Sequence, residues 1–159
     1  AWELHDRLGR VPDAVLVPTS RGDLLSGIAL GFAGMAAGPS ARVPRVYCVE
    51  PFARASAVLD GAAPVTADFP GDATATPSIG GHGVTYQTVA ALRATGGRAV
   101  VVGPQAASRA AGALRGDGLL VEAAGAVAYA AEADLRASGE IADGELSVCL
   151  LTSHLFKGL

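Results

Sequence analysis

The sequence is nearly devoid of lysine: Lys157 is the only one in 159 residues, and arginine supplies the other basic side chains. With 12 basic and 15 acidic residues, the formal net charge is -3. No cluster of basic residues provides the positive surface that nucleic acids or acidic membranes require. We therefore expect no nucleic-acid and no membrane partner, whereas the charge is compatible with a small anionic or zwitterionic ligand.

Aromatic residues are also scarce, at 5%, although 50% of the residues are hydrophobic. Alanine, valine and leucine supply most of that half, and no apolar run approaches the roughly 20 residues that span a bilayer. The opening stretch AWELHDRLGR is charged and lacks the apolar core of a signal peptide. These features predict a single domain over residues 1–159, located in the cytoplasm.

Several reactive motifs are missing as well. The two cysteines, Cys48 and Cys149, each lie in an apolar run, where a free thiol behaves as a small hydrophobe in a reducing compartment. His5, His82 and His154 are far apart in sequence, so no metal site is expected. Neither the GxSxG turn of serine hydrolases nor the GxGxxG turn of dinucleotide-binding domains occurs.

Short apolar runs alternate with helical stretches along the chain. The runs are rich in valine and leucine without polar alternation, which is typical of strands buried on both faces of a parallel sheet. The predicted strands are residues 14–19, 45–51, 98–103, 119–122 and 146–153. The predicted helices are residues 23–38, 84–97, 104–118 and 123–139, each ending at a glycine. This alternation predicts a three-layer α/β/α domain with a mostly parallel sheet, and a long loop over residues 73–83.

Ligands of such sheets bind beyond the carboxyl ends of the strands, which draws attention first to VPTSRGDLLSG. Here a strand turns through Ser20, Arg21 and Gly22 into a helix, whose first N–H groups can bind an anion. Asp23 is expected to cap that helix and to repel a phosphate. The alternative, a capped helix without a ligand, is the commoner explanation of this stretch by itself.

Two further stretches end predicted strands with polar side chains. In GLLVEAAGAVAYA, Glu122 precedes a helix of small residues, and it either holds the edge of a cofactor or caps the helix. In VCLLTSHLFKGL, Thr152 offers a hydroxyl to a ring nitrogen or a carboxylate. His154 is a candidate base and Lys157 a candidate amine in the same stretch, although each type is more often an exposed polar residue.

In this order, the three stretches resemble the carboxyl-terminal half of fold-type II pyridoxal phosphate enzymes, and among them most closely threonine synthase. The resemblance extends from about Trp2 to Lys157 and implies a Rossmann-like domain that binds pyridoxal 5'-phosphate. It implies that Thr152 bonds the pyridine nitrogen and that Glu122 lies near the cofactor. The matching phosphate cup, in which serine and aspartate replace two family glycines, comprises Ser20, Arg21, Gly22, Asp23 and Leu24.

The resemblance also implies what this chain lacks. The Schiff-base lysine of the family lies in the amino-terminal half, in a stretch that nothing here resembles, and Lys157 matches a different lysine of the closing loop. We therefore expect no catalytic residue in this chain, and a second polypeptide that carries the amino-terminal half. Together the two would catalyse elimination or replacement on an amino-acid substrate.

Three alternatives stay open at this stage. The chain could be a non-catalytic scaffold or regulatory subunit with a degenerate cofactor site, which the aspartate at position 23 favours. It could be an excised fragment of a full-length enzyme. A nucleotide-binding domain is disfavoured, because the glycine-rich turn of such domains does not follow the first strand.

Overall fold

The computed structural model describes residues 1–36 and 42–158. Four parallel strands form its sheet, in the order β3-β2-β1-β4. The strands are β1 (Ala14–Pro18), β2 (Arg45–Glu50), β3 (Ala99–Val101) and β4 (Ser147–Cys149). In the register, Val15 pairs with Val46 on one side and with Val148 on the other.

Helices follow the strands and cover both faces of the sheet. They are α1 (Trp2–Leu8), α2 (Asp23–Met35), α3 (Ala55–Leu59), α4 (Tyr86–Thr95), α5 (Pro104–Gly116) and α6 (Ala123–Ala137). Two 3-10 turns, Pro77–Ile79 and Leu155–Gly158, lie in the connections. The long loop predicted over residues 73–83 contains the first of these turns.

Strand β1 explains why the sheet needs helices on both sides. All five of its residues are buried, and their side chains alternate between the two faces. Ala14 and Leu16 pack in one cluster with residues of α6, whereas Val15 and Val17 pack with α2 and α4 on the other face. The predicted three-layer α/β/α architecture with a parallel sheet is therefore confirmed.

One predicted strand is wrong. Residues 119–122 do not join the sheet, and their β-pairing is one antiparallel bridge between Val121 and His154. Leu119 and Leu120 are exposed, whereas Val121 is buried, so only part of the apolar run faces the core. The segment connects α5 to α6 without adding a strand to the sheet.

Predicted and observed helix ends agree closely where a glycine after the helix adopts the left-handed conformation. Helix α4 ends at Thr95, and Gly96 follows with a φ of 66°. For α2 the described helix ends at Met35, whereas the predicted end at Gly38 lies outside the described residues. In the described part of the chain, no helix is long and apolar enough to cross a membrane.

Candidate functional site

A cavity of about 340 Å³ opens at the carboxyl end of the sheet, within the size range of small-molecule sites. The turn between β1 and α2 forms one wall, the loop before α4 contributes Ser78 and Ile79, and the segment after β4 closes it. The lining includes Ser20, Arg21, Gly22, Asp23, Leu24, Thr152, Ser153 and Lys157. Six of the seven residues predicted for the site are thus brought together, across 132 positions of sequence from Ser20 to Thr152.

Gly22 is the residue that allows the turn to form. Its φ is 102°, a left-handed conformation that residues with a side chain rarely adopt. A Cβ atom at this position would also lie 1.8 Å from Oγ1 of Thr88, which approaches from helix α4. Both the backbone angle and the close contact therefore require glycine here.

Two carbonyl groups of the turn are fixed by hydrogen bonds from side chains of other segments. The carbonyl of Thr19 accepts a hydrogen bond from Nη2 of Arg54 at 2.7 Å, and that of Arg21 accepts one from Oγ1 of Thr88 at 2.9 Å. The described chain contains no cis peptide bond, and in a trans peptide the carbonyl and the following N–H point in opposite directions. The N–H groups of Ser20 and Gly22 are therefore directed away from Arg54 and Thr88.

Helix α2 adds further donors to the same wall. Its N-terminal hydrogen bond runs from the N–H of Ser26 to the carbonyl of Gly22 at 2.9 Å, so the N–H groups of the first turn have no partner within the helix. Together with the positive end of the helix dipole, these donors favour an anion in the cavity. The turn is suited to hold a phosphate group through its backbone.

The expectation that Asp23 caps helix α2 is wrong. Gly22 occupies the capping position without a side-chain bond, and Asp23 is the first residue of the helix itself. Asp23 lines the cavity, and so do the basic residues Arg21 and Lys157. Together these three residues carry a net positive charge, which opposes the repulsion that Asp23 would exert on a phosphate.

The third wall brings Thr152 and Ser153 into the cavity. Gly125, in the first turn of α6, permits this approach, because a Cβ there would lie 3.1 Å from the backbone nitrogen of Ser153. The backbone nitrogen of Glu122 donates to the carbonyl of Ser153 at 3.2 Å, which fixes the segment against α6. The hydroxyl of Thr152 is thereby presented on the wall formed by the chain after β4.

Glu122 does not line the cavity directly. It stands at the N-terminal cap position of α6 but makes no side-chain capping bond. Its carboxylate instead accepts a hydrogen bond of 2.6 Å from the hydroxyl of Ser78, which does line the cavity. Side-chain capping by Glu122 is therefore wrong, because the carboxylate links α6 to the loop instead, whereas contact of Glu122 with a cofactor stays a prediction.

His154 and the cysteines are not candidates for chemistry in this cavity. His154 is exposed, and its Nδ1 atom accepts a hydrogen bond from the backbone nitrogen of Phe156 at 3.2 Å. Burial raises the pKa of Cys48 to about 12 and that of Cys149 to about 12, so both thiols stay neutral at physiological pH. In the portion of the chain that is described, no group of side chains could hold a metal ion.

Sequence reasoning missed a buried ion pair beside the turn. Glu50, the last residue of β2, accepts hydrogen bonds from the backbone nitrogens of Arg54, Ala55 and Ser56, and so caps helix α3. Arg54, with 0% of its surface exposed, lies 3.5 Å from Glu50 and binds the Thr19 carbonyl. The available signal was an arginine four residues after the glutamate that ends a predicted strand.

Comparison with known proteins identifies the family of the chain. Residues 1–153 match the family model of pyridoxal-phosphate dependent enzymes. The chain belongs to this family. A comparison with curated protein sequences finds no significant match.

Solved structures of the family have the same fold. A threonine deaminase from T.th. is 25% identical with a TM-score of 0.68, over 96% of this chain and 53% of the other. Threonine deaminase isoform 2 from Solanum lycopersicum, in its processed form, is 24% identical with a TM-score of 0.77, over 96% and 43%. An L-serine ammonia-lyase from Rhizomucor miehei is 21% identical with a TM-score of 0.73, over 96% and 49%. The chain therefore spans about half the length of these relatives.

The residues of the cavity fit pyridoxal phosphate. The turn and the first turn of α2 supply backbone donors for a phosphate, while the hydroxyl of Thr152 lies on another wall, where it can meet a ring nitrogen. When bound, this cofactor supplies an electron sink for a carbanion on an amino acid. With the cofactor bound, the backbone of the turn would hold the phosphate and Thr152 would contact the ring.

Proposed function

We propose that this chain is the carboxyl-terminal half of a threonine-synthase-like pyridoxal phosphate enzyme, completed by a second polypeptide that supplies the cofactor-binding lysine. The assembled enzyme would act on an amino acid by elimination or replacement. In this proposal the N–H groups of Ser20 and Gly22 hold the cofactor phosphate and Thr152 orients its ring. The substrate carboxylate site belongs mostly to the partner.

The observation that carries the proposal is a cavity that fits the cofactor in a sequence that spans about half the length of its relatives. The family match covers residues 1–153, whereas the chain covers only 53% of the threonine deaminase from T.th.. The single lysine, Lys157, is exposed and follows the segment that presents Thr152. In this proposal the reactive amine held against the other end of the cofactor comes from outside these 159 residues, and Lys157 is not that amine.

Exposed apolar side chains support a protein partner. Leu24 lines the cavity and is half exposed. Further exposed apolar residues lie between α5 and α6 and after β4, namely Leu119, Leu120, Leu151 and Phe156. Large exposed apolar patches are typical of a surface that another protein covers. The proposed occupant is the polypeptide with the missing amino-terminal half.

The names of the related structures support the reaction class. Two are threonine deaminases and one is an L-serine ammonia-lyase, so they act on small amino acids. A cofactor cavity of the same fold suits chemistry at the α- and β-carbons of such a substrate. Within this class of reactions we propose threonine-synthase-like chemistry, because the closing stretch VCLLTSHLFKGL resembles that of threonine synthase.

The test is to co-purify the chain with the products of neighbouring genes and to record visible absorbance after adding pyridoxal phosphate. We expect the band of a lysine-bound cofactor from the mixture and from neither polypeptide alone. Borohydride reduction followed by mass spectrometry then locates the modified lysine, with Lys157→Arg as the control variant. A reduced adduct on Lys157 of the unaccompanied chain would refute the proposal.

A second candidate function is favoured by the charge at Asp23. A scaffold or regulatory subunit that stabilises an active homologue would retain the fold but tolerate a carboxylate beside the phosphate position. Asp23→Asn and Asp23→Gly separate the two functions, because a large gain in pyridoxal phosphate affinity would indicate an abandoned site. If the variants and the wild type bind pyridoxal phosphate with similar affinity, the first proposal, half of an enzyme, is favoured.

A further inference from the structure

The guanidinium of Arg54 is fully buried at the carboxyl end of the sheet, directly behind the turn that lines the cavity. It lies 5.0 Å from the ring centre of Phe52 and 3.5 Å from the carboxylate of Glu50. Its two terminal nitrogens bind two different loops: Nη2 donates to the carbonyl of Thr19 at 2.7 Å, and Nη1 donates to the carbonyl of Gly81.

A contribution to core stability does not by itself explain why an arginine is buried at position 54. Burying an ion pair costs desolvation energy that its mutual attraction often only offsets, and apolar residues of similar size are frequently at least as stabilising. Burial lowers the pKa of Arg54, while the charge of Glu50 opposes that change. What the guanidinium provides and an apolar side chain cannot is a planar fork that reaches two carbonyls at once.

The two carbonyls belong to the two sides of the cavity. Thr19 leads into the turn, and Gly81 belongs to the loop that contributes Ser78 and Ile79 to the lining. The loop also binds the turn directly, because the backbone nitrogen of Gly81 donates to Oγ of Ser20 at 3.3 Å. A Cβ at Gly81 would lie 2.6 Å from this oxygen, so a side chain here would displace the Ser20 hydroxyl.

We propose that Arg54 is a positioning residue for anion binding in this cavity, an inference that rests on the proposed function. By holding the Thr19 carbonyl, Arg54 directs the N–H of Ser20 away from itself, toward the bound phosphate. By holding the Gly81 carbonyl, it keeps the loop with Ser78 against the same turn. Arg54 touches neither the cofactor nor the substrate, and it acts through these two backbone groups.

The experiment measures binding of inorganic phosphate and of pyridoxal phosphate to the purified chain. The test variant combines Arg54→Met with Glu50→Gln, which removes both charges together and retains an acceptor for the cap of α3. Its matched control combines Arg98→Met with Glu140→Gln, which removes the exposed pair at the opposite end of the sheet. Amide chemical shifts of Ser20 and Gly22 report on the site, and the melting temperature in phosphate-free buffer reports on the fold.

We expect phosphate to bind roughly ten-fold more weakly to the test variant, about the effect of one lost hydrogen bond to a charged group, and unchanged to the control. A purely structural role would lower the melting temperature in phosphate-free buffer but leave the increase caused by phosphate unaltered. Wild-type affinity in the test variant would overturn the role of Arg54 while leaving the proposed function intact. Failure of the wild-type chain to bind either probe would overturn both.

Arg54→Lys provides a second test that does not depend on the folding of the double variant. Lysine keeps the positive charge opposite Glu50, but one ammonium group lacks the planar fork that spans both carbonyls. We expect phosphate binding to weaken several-fold and the Ser20 amide shift to move in the unbound chain. If Arg54→Lys binds phosphate as tightly as the wild type, the charge of Arg54 alone explains its contribution, and the positioning role is refuted.

Discussion

An arginine and a glutamate form an ion pair at each end of the sheet, but one pair is buried and the other is partly exposed. At the amino end, Arg98 bonds Glu140 at 2.7 Å, and both side chains are partly exposed. At the carboxyl end, Arg54 faces Glu50 with 0% and 1% of their side chains exposed. The exposed pair joins two connections on the surface, whereas the buried pair fixes the backbone of the cavity.

The difference follows from what surrounds each pair. Water screens the exposed charges, so their attraction contributes little to stability. The buried carboxylate of Glu50 instead bonds three backbone nitrogens and the hydroxyl of Ser56, and Arg54 binds two carbonyls. A buried ion pair therefore becomes part of the backbone hydrogen-bonding system, and its geometry is transmitted to the cavity.

The largest expected effect comes from breaking the buried pair on one side. Glu50→Ala leaves the Arg54 guanidinium without its counter-charge and helix α3 without its cap, so the free energy of unfolding should fall by about 3–5 kcal/mol. Urea denaturation followed by circular dichroism measures this loss. The comparison between the two ends fails if Glu140→Ala costs as much as Glu50→Ala.

A smaller loss of stability but a complete loss of phosphate binding is expected for Gly22→Ala. The left-handed backbone and the contact with Thr88 together should cost about 1–3 kcal/mol and displace the turn. Gly27→Ala is the matched control, because Gly27 lies in the same helix with no atom within 4 Å of a new Cβ. That substitution should stabilise the chain by roughly 0.5–1 kcal/mol and leave phosphate binding unchanged.

The thiols of Cys48 and Cys149, in strands between the two ends of the sheet, make the stability of the fold dependent on alkaline pH. Burial raises the pKa of Cys48 and of Cys149 from 9.0 to about 12, so an unfolded chain releases protons that the folded chain keeps. Stability should therefore fall as the pH rises from 9.0 toward about 12, and burial of Tyr47, whose pKa is also raised to about 12, adds to the fall above pH 10.0.

Urea midpoints at about pH 8 and about pH 10.5 measure this dependence. The double variant Cys48→Ala with Cys149→Ala removes both thiols and should show a shallower decline than the wild type. An equally steep decline in the double variant would assign the effect to other groups.

The smallest effect is expected at the amino end of the sheet. Arg98→Ala removes a partly exposed partner and should change the free energy of unfolding by at most about 1 kcal/mol, with less effect in high salt. Phosphate binding should not change at all. A loss as large as that of Glu50→Ala, or any loss of phosphate affinity, would mean that the two ends are not functionally distinct.

Much of the fold was predictable because it depends on local patterns. Val15 and Val17 lie in an apolar run without polar alternation, which already indicates a strand covered on both faces. Residues 119–122 show the limit of that reasoning, since an apolar run predicts burial whether or not a neighbouring strand is available. The exposed Leu119 and Leu120 could be recognised only when the path of the chain was known.

For the site, sequence reasoning located the three stretches but not the contacts between them. Thr152 and the turn from Ser20 to Leu24 line the same cavity, because carboxyl ends of parallel strands meet at one edge, and their contact with a cofactor stays a prediction. The contact of Thr88 with the carbonyl of Arg21 joins residues 67 positions apart, and no local pattern indicates it. The capping function of Asp23 failed for a similar reason, since the helix begins one residue earlier than a side-chain cap would require.

The sequence by itself determined the alternation of strands and helices, the place of the glycine in the turn and the scarcity of amines. These properties depend on residue type and on spacing along the chain, which a sequence states directly. Only the tertiary structure decided that Arg54 lies behind the turn, that Glu122 bonds Ser78, and that Arg21, Asp23 and Lys157 line one cavity. Those relations depend on the distance between segments far apart in sequence, and packing of the whole domain is what sets that distance.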